Sequence, residues 1–498
     1  MTKTQMAFLL LWGCVWAAWA GEPGAGLPLR DGAQMASTGE ARAETAQRGG
    51  GIRSRSLWAG IAALPRVALA APAAAAAAAD ERPELPARLT LPQAVQMALG
   101  RSAVLLAAQA QLAQAEGRST QAASSLYPQV SLGITESYQT INLRAQGIQI
   151  PFLPARVGPF QTFDGRGAVS QNLLNLPLLY NSRAGKLRLD ASRSQYADAR
   201  ELVVLSVVAA YAQALRNEAQ TAALAAEVKT AERLDQITLD RYNAGVANAV
   251  DVKRSRQQVD NLRQAAIEAE NSVTVAKLQL AALLQAKVSS RFELADISTA
   301  YEAGALDAGQ ALARAEQNRR DLRAAAQAVR AAELSLASVR AERLPTVQLQ
   351  GNFGQSGISL AQNLDVYRIA GVVSVPVFTG HRISGEVREL EGRLEEARAG
   401  LTIARTQVET DLLAAMAGVD AARRELGVAE DAIGLAKEEL ELAEERFQAG
   451  ITDNTEVVNA QDRVARAEEN AIRARFNRNL ASANLHRSLG EAEQTYSH

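Results

Sequence analysis

Two stretches of this sequence are near copies of each other: RYNAGVANAVDVKRSRQQVDN at residues 241–261 and RFQAGITDNTEVVNAQDRVAR at residues 446–466. Each places a glycine, Gly245 or Gly450, within a long alanine-rich pattern that is typical of helices. Glycine adopts a left-handed backbone conformation at little cost, so it favours a sharp turn at the end of a helix. The sequence therefore predicts two helical hairpins, whose turns lie 205 positions apart.

Other landmarks repeat at a similar distance. Pro177 and Pro376 are 199 positions apart, and Pro128 and Pro345, which each end a helical pattern, are 217 positions apart. Such a period indicates an internal duplication. We predict the order helix, strand, strand, long helix, turn and helix in both halves. This order divides the chain into a first repeat at residues 89–286, a connector at 287–307, a second repeat at 308–490 and a C-terminal tail at 491–498.

The strands are predicted from alternating apolar and polar residues. Val130, Leu132 and Ile134 alternate with polar or small neighbours in the first half, and the same pattern surrounds Val347 and Leu349 in the second. A period of two is typical of a strand with one apolar and one polar face. A glycine- and proline-rich segment, residues 144–165, is expected to be a loop. Continuous helices are expected at residues 90–126 and 308–343.

The long helix before the second turn has a regular apolar seam. Its members recur at steps of four and three residues, with one pair of consecutive fours at Val408, which is typical of a coiled coil with a stutter. A helix of roughly 65 residues is about 100 Å long, at 1.5 Å per residue. The seam consists of Ile383, Val387, Leu390, Leu394, Ala397, Leu401, Ala404, Val408, Leu412, Ala415, Val419, Ala422, Leu426, Ala429, Ile433, Ala436, Leu440, Ala443 and Phe447.

The first 80 residues indicate export. Lys3, an apolar run and the Ala18-x-Ala20 ending form one signal-peptide pattern, and a second such pattern ends at Ala70. An alanine- and proline-rich leader follows. Cys14 lies in a sequence that faintly resembles a lipidation box, from which the bulky Trp12 departs. Either of the two segments could be the working signal.

Composition excludes several classes of function. The net charge of −1 gives no basic field for nucleic acid. The chain has three histidines and one cysteine, without the spacing of a metal site. Neither a catalytic constellation nor a phosphate-binding loop is present, so we expect no enzyme activity, no cofactor and no metal. Beyond the N-terminal region no run of 18 or more apolar residues suggests a membrane-spanning helix.

The predicted strands are too few to form a closed structure alone. Four strands leave two open edges, which lipid does not tolerate because their backbone groups would lack hydrogen-bond partners. Three chains would supply twelve strands, enough for a closed barrel with small and polar residues on its inner face. The alternative is a soluble sheet with one wet face.

Four motifs in this order resemble the TolC-type outer-membrane channel family over residues 89–490. They are SLYPQV before the first strand, RYNAG and RFQAG at the two turns, and VPVFTGHR after the last strand. The resemblance implies a mixed α and β fold. Three chains would form a 12-stranded outer-membrane β-barrel, with four strands per chain, continued by a long periplasmic α-helical coiled-coil barrel.

The resemblance also assigns roles to residues at the turns. It implies that Gly245, Val246, Gly450 and Ile451 form the tips that dock a periplasmic adaptor. The simpler interpretation of the two glycines is that they permit the turn.

The pore constriction or gate of the family falls on Asp251, Glu456, Asn459, Thr452 and Phe447. Thr452 stands where the family has a gating arginine, Phe447 where it has a tyrosine, and Asn459 where it has a second acid. Asp251 and Glu456 could instead simply favour a helix N-terminus.

The function expected from the resemblance is that of an outer-membrane channel in a tripartite efflux system. Its partners would be a periplasmic adaptor (membrane fusion) protein, an inner-membrane pump of the RND or ABC type, two further copies of the chain and outer-membrane lipid. The alternatives are the outer-membrane duct of a type I protein-secretion system and, in another class, a soluble periplasmic coiled-coil scaffold. Drugs, metals and polypeptides all remain open as cargo.

Overall fold

A computed structural model describes residues 83–148, 150–152, 154–289, 291–297, 307–359, 361–452 and 454–497. The expected signal segments, the leader and Cys14 lie outside the described residues. The helices are α1 (Leu91–Arg101), α2 (Ala103–Ser124), α3 (Leu176–Asn243), α4 (Ala249–Leu283), α5 (Ala308–Asn318), α6 (Arg320–Ala341), α7 (Arg382–Gln448), α8 (Asn454–Leu489) and α9 (Ala492–Tyr496). The strands are β1 (Arg88–Leu89), β2 (Gln129–Asn142), β3 (Arg156–Leu174), β4 (Glu293–Leu294), β5 (Thr346–Ser359) and β6 (Gln362–Ser374).

The same order of elements occurs in both halves of the described chain. A pair of short helices precedes a pair of strands, and a helix of 68 residues (α3) or 67 residues (α7) leads to a turn and a last helix. Helix α3 packs against α2, α4, α6 and α8, and α7 packs against α6 and α8. None of the helices in the described residues has an apolar stretch long enough to cross a membrane.

Local sequence signals define the helix starts. Thr90 caps α1 in a capping box with Gln93, and Pro92 lies in the first turn. Asn175 caps α3 by accepting a hydrogen bond from the backbone N–H of Leu178. Because these side chains satisfy backbone donors that a helix start leaves free, they fix where each helix begins.

The prediction of continuous helices at residues 90–126 and 308–343 was wrong. Ser102 and Arg319 both leave the helical conformation, with ψ angles of 127° and 118°, and so separate α1 from α2 and α5 from α6. Both residues are buried, and the Arg319 guanidinium binds Asp321 at 2.6 Å and Asp411 at 3.1 Å. Tertiary contacts of this kind override the helical propensity of the flanking residues.

Four strands form one antiparallel sheet in the order β2-β3-β5-β6. The loop expected at residues 144–165 was too long, because β3 already begins at Arg156 and pairs with the far end of β2. Strand β2 ends at Asn142, so the connection from β2 to β3 is shorter than expected. Strands β2 and β6 are the edges, so each has one side without a strand partner in the described chain.

The register gives the sheet one apolar and one polar face. Val130 is opposite Val169, and Phe353 is opposite both Gly167 and Tyr367. Large apolar side chains on this face are exposed: Leu132, Ile134, Tyr138, Ile369, Val373 and Tyr367. The other face is polar over most of its length and includes Ser131, Thr135, Gln348, Gln350, Asn352 and Arg368. Such an alternation is typical of a sheet between two different surroundings.

The seam predicted for the long helix is confirmed. All eleven buried residues of α7, from Ile383 to Phe447, belong to it. Around the stutter, Val408 and Leu412 pack in a cluster with Leu485 and Leu489 of α8. Further along, Ala429 packs against α8 through alanines, which lets the two helices approach closely.

The main core lies where α1, α3, α4 and α9 meet. Tyr211 is fully buried there, and its hydroxyl lies 2.8 Å from the Leu89 carbonyl and 2.6 Å from the Ala295 carbonyl. These contacts hold the short parallel pair β1–β4. The C-terminal residues, expected to be a tail, form α9, whose Tyr496 is buried in this core.

Candidate functional site

The two hairpin turns have the same hydrogen bonds. In the first, the N–H groups of Gly245 and Val246 donate to the carbonyls of Tyr242 and Arg241, each at 2.9 Å. In the second, Gly450 and Ile451 donate in the same way to Phe447 and Arg446, each at 3.0 Å. This pair of backbone hydrogen bonds defines the Schellman motif. Its left-handed position requires glycine, with φ of 75° at Gly245 and 72° at Gly450.

The residue after each glycine is apolar and exposed. Val246 has 65% of its surface exposed and Ile451 has 69%. In most Schellman motifs this residue packs back onto the last turn of the helix. Here both side chains are instead largely exposed, so each turn presents an apolar group at the end of its hairpin. These are the two tip positions predicted from the sequence.

Three side-chain contacts hold the hairpins together near their turns. The Arg241 guanidinium lies 4.4 Å from the centre of the Phe447 ring, and its Nη1 donates to the Phe447 carbonyl. Arg254 Nη1 donates to Thr455 Oγ1 at 3.0 Å. Gln258 donates to Asp462 at 2.9 Å. The first of these combines a cation–π contact and a charge-assisted hydrogen bond.

Phe447 lies inside this contact region. It is 6% exposed and packs with Leu234, Ala443, Val457 and Ala460. We expected Phe447 at a pore constriction. Within the described chain its ring instead packs between the two hairpins, a contact that the sequence analysis did not predict. The partner Arg241 could have been noticed, because it stands at the first turn where Arg446 stands at the second.

Glu456 has two local partners at the start of α8. Its Oε1 accepts a hydrogen bond from Arg446 at 2.8 Å, and its Oε2 accepts one from the Thr452 hydroxyl. Thr452 thus orients the carboxylate that the sequence predicted at the constriction. Asn459 lies three residues later on α8 and is exposed. The structure therefore brings Thr452 and Glu456 into contact and leaves Asn459 at the surface.

Asp251 has a local structural role at the start of α4. Asn248 caps this helix by accepting hydrogen bonds from Val250 at 2.6 Å and Asp251 at 3.3 Å. In return the Asp251 carboxylate accepts from the Asn248 N–H at 3.4 Å, which completes a capping box. Its side chain is 18% exposed. Asp251 and Glu456 therefore occupy equivalent places but have different partners.

The pKa of one carboxyl group in α3 is strongly raised. Glu227 of α3 lies in the α3–α8 contact region, and its Oε2 is buried without a hydrogen-bond partner among the described residues. Burial, together with the negative charges of Glu468, Asp462 and Glu469, raises the pKa of Glu227 to about 7. This cluster could not be predicted from the sequence, because its four carboxylates come from two helices that are distant along the chain.

The described residues include no group of three or more histidine, cysteine, aspartate or glutamate side chains that could hold a metal ion. His381 immediately precedes α7 and has a left-handed conformation with φ of 64°. Its ring contacts the edge of Phe378 at 6.2 Å between centroids.

Comparison with known proteins identifies relatives over most of the chain. A family model described as outer membrane efflux protein matches residues 94–285 and 311–491. The pyoverdine export outer membrane protein OpmQ of Pseudomonas putida is 26% identical over 411 residues, which are 80% of this chain and 85% of that protein. The two ranges matched by the family model contain all nine residues predicted at the tips and the constriction.

Solved outer-membrane proteins share the fold. The outer membrane protein VceC of Vibrio cholerae superposes with a TM-score of 0.72 at 20% identity, covering 80% of this chain and 96% of that chain. The CmeC outer membrane channel of Campylobacter jejuni gives a TM-score of 0.71 at 17% identity, covering 81% and 86%.

Proposed function

The chain belongs to the outer membrane efflux protein family, and from this premise we propose that it is the exit duct of a tripartite efflux system. Relatives of this family are outer-membrane channels rather than enzymes, and the protein is an outer-membrane efflux protein. In the proposed system an inner-membrane pump supplies the energy and a periplasmic adaptor connects the pump to the duct. The observation that carries the proposal is the pair of matching turns with exposed apolar residues.

The duct is completed by three copies of the chain. The four-stranded sheet has an apolar face for lipid and a polar face for water, and its edge strands β2 and β6 need partners in a membrane. Pairing β6 of one copy with β2 of the next would give twelve strands in a closed barrel. The long helices α3 and α7, with α4 and α8, would continue this barrel into the periplasm as a coiled-coil tunnel.

The adaptor docks at the tips formed by Gly245, Val246, Gly450 and Ile451. The exposed Val246 and Ile451 support this assignment, because large apolar groups at the end of a helical hairpin fit a partner that covers them. The two turns have the same backbone geometry, so each chain offers two similar docking positions.

The constriction lies beside the tips. Threefold symmetry would gather three copies of Glu456, with Thr452 and Asn459 next to them, into a ring that favours cations. Asp251 would add charge at the outer side of this ring. Phe447 and Arg241 would support the Glu456 ring indirectly, by holding the two hairpins of one chain together.

A type I protein-secretion duct remains the alternative, since it would use the same channel. The relative in Pseudomonas putida is named for the export of pyoverdine, which supports efflux as the first choice. A soluble periplasmic scaffold is excluded by the outer-membrane family to which the chain belongs.

Replacement of Ile451 by aspartate tests the docking role. We expect Ile451→Asp to abolish efflux in cells that lack the native gene, because a charge replaces the apolar contact, while the protein still reaches the outer membrane as trimers. The measurement is accumulation of a fluorescent pump substrate such as ethidium, with outer-membrane immunoblots of unheated samples. The control Ile451→Val keeps the apolar surface and should restore efflux. Wild-type efflux with Ile451→Asp would contradict the docking assignment.

A further inference from the structure

The polar face of the sheet carries more positively than negatively charged side chains. Along the described strands the charged residues of this face are Asp164, Arg166 and Arg368, and its other residues are polar or small except for a few on β6: Leu364, Val366 and Val372. Asp164 and Arg166 form an ion pair at 2.5 Å. Arg368 is exposed and has no ion pair within the described part of the chain. The polar face therefore carries one uncompensated positive charge per chain.

Arg368 lies in a cavity of about 340 Å³ on this face. One row across the sheet is formed by Ser131, Ala168, Asn352 and Arg368, which are successive cross-strand partners. The small side chains of Ser131, Ala168 and the neighbouring Ala370 leave room around the guanidinium. A volume of this size is at the lower end for small-molecule sites, which suits one functional group of a larger molecule.

A second polar group in the cavity lacks a partner. Asn352 is directly opposite Arg368, and its Oδ1 is buried without a hydrogen-bond donor among the described residues. A buried acceptor of this kind costs free energy unless a donor reaches it. The amide of Gln350, also in the lining, donates to Gln348 at 2.8 Å and is therefore not aimed at Asn352.

We propose that this cavity binds an anionic, hydroxyl-bearing group of the exported cargo, of the hydroxycarboxylate class. The Arg368 guanidinium would bind the carboxylate through two parallel N–H donors. Rotation of the Asn352 side chain would bring its buried Oδ1 to the surface of the cavity, where the hydroxyl group would donate to it. The inference rests on the proposed function, because it assigns the polar face to the inside of the duct. Each chain holds a whole site, so three equivalent sites would line the duct beyond its acidic entrance.

The test uses purified trimers in planar bilayers. Citrate, the ligand, is added to the compartment into which the barrel formed by the sheets opens. At about 0.1 M salt the Debye length is about 10 Å, so the arginine charge is still felt by a nearby anion. We expect citrate to reduce the current of the wild type, and Arg368→Gln to weaken this block about tenfold. The control Asp365→Asn removes a charge from the opposite face of the same strand and should leave the block unchanged.

Tricarballylate, which is citrate without its hydroxyl group, tests the role of Asn352. The wild type should bind citrate more tightly than tricarballylate, and Asn352→Ala should remove this preference. Equal block by the two acids in the wild type would overturn the Asn352 contact. Conducting wild-type trimers whose citrate block is unchanged in Arg368→Gln would overturn the site and leave the duct intact. Trimers that do not conduct at all would contradict the proposed function and the site with it.

Discussion

At the scale of single residues, Glu227 is a carboxyl group whose pKa is raised into the neutral range. Its raised pKa has a physical cause in burial and in three carboxylates of α8, of which Glu468 is also bound by Lys437 at 2.9 Å and Asp462 by Gln258. The folded state holds a proton on Glu227 more tightly than the unfolded chain does. The stability that this proton contributes is complete below about pH 4.5 and is lost as the pH rises through about 7.

Glu227→Gln should therefore stabilise the protein at pH 8 and change little at pH 5. The expected gain at pH 8 is about 1 kcal/mol per chain, after discounting for the solvent that still reaches this half-buried group. Thermal unfolding followed by circular dichroism at both pH values measures the difference. Glu232→Gln, at an exposed position of the same helix, is the control. An equal effect of Glu227→Gln at pH 5 and pH 8 would rule out titration of Glu227 as the cause.

Single residues also differ in how well the sequence predicts them. Gly245 and Gly450 were predictable because each stands in one of two near-identical stretches of sequence, and not because each is a glycine, since α7 continues through Gly418 and Gly427. The contact of Arg241 with Phe447 joins residues 206 positions apart, and nothing local marks it. The predicted roles of Glu456 and Asn459 in a pore depend on other copies of the chain, so they stay predictions.

At the scale of elements, the helix interruption at Arg319 shows how buried charge shapes the fold. The Arg319 side chain is 4% exposed and is shared by Asp321 and Asp411. Burial acts to raise the pKa of Asp321, but the hydrogen bond and charge of Arg319 outweigh it and hold that pKa below its usual value. The break between α5 and α6 thus places one cation between carboxylates of α6 and α7.

Arg319→Met should destabilise the protein by about 3–5 kcal/mol, because it leaves two partly buried carboxylates without their cation. The measurement is the midpoint of thermal unfolding at pH 7.5. The control Arg314→Met changes an exposed residue of α5 and should stay within about 0.5 kcal/mol of the wild type. Equal midpoints for Arg319→Met and the wild type would show that the pairs do not stabilise the junction.

Periodic elements were predictable, and their interruptions were not. The seam of α7 and the alternation in β2 and β5 follow from burial of one face along a regular structure, which leaves a pattern in the sequence. Arg319 interrupts a helix where it binds the distant Asp411, a contact that the local sequence does not show. Ser102 interrupts the other helix as a buried residue, although its flanking residues favour continuation. The start of β3 within a glycine- and proline-rich segment depends on pairing with β2.

At the scale of the whole molecule, the four-stranded sheet of the described chain has two edge strands and an exposed apolar face. Its apolar face and its two edge strands would both be unfavourable in water. Lipid can cover the apolar face, and further copies of the chain can pair with the edges. The proposed docking tips, constriction and anion site all depend on this closure, since it decides which face of the sheet and which sides of the helices line the duct.

The most direct test of this account is the mass of the purified protein in detergent, measured by light scattering with correction for bound detergent. The account predicts a complex of three chains that stays together until it is heated and that precipitates when detergent is removed. A single chain that remains dispersed in water without detergent would contradict closure of the sheet by neighbouring copies.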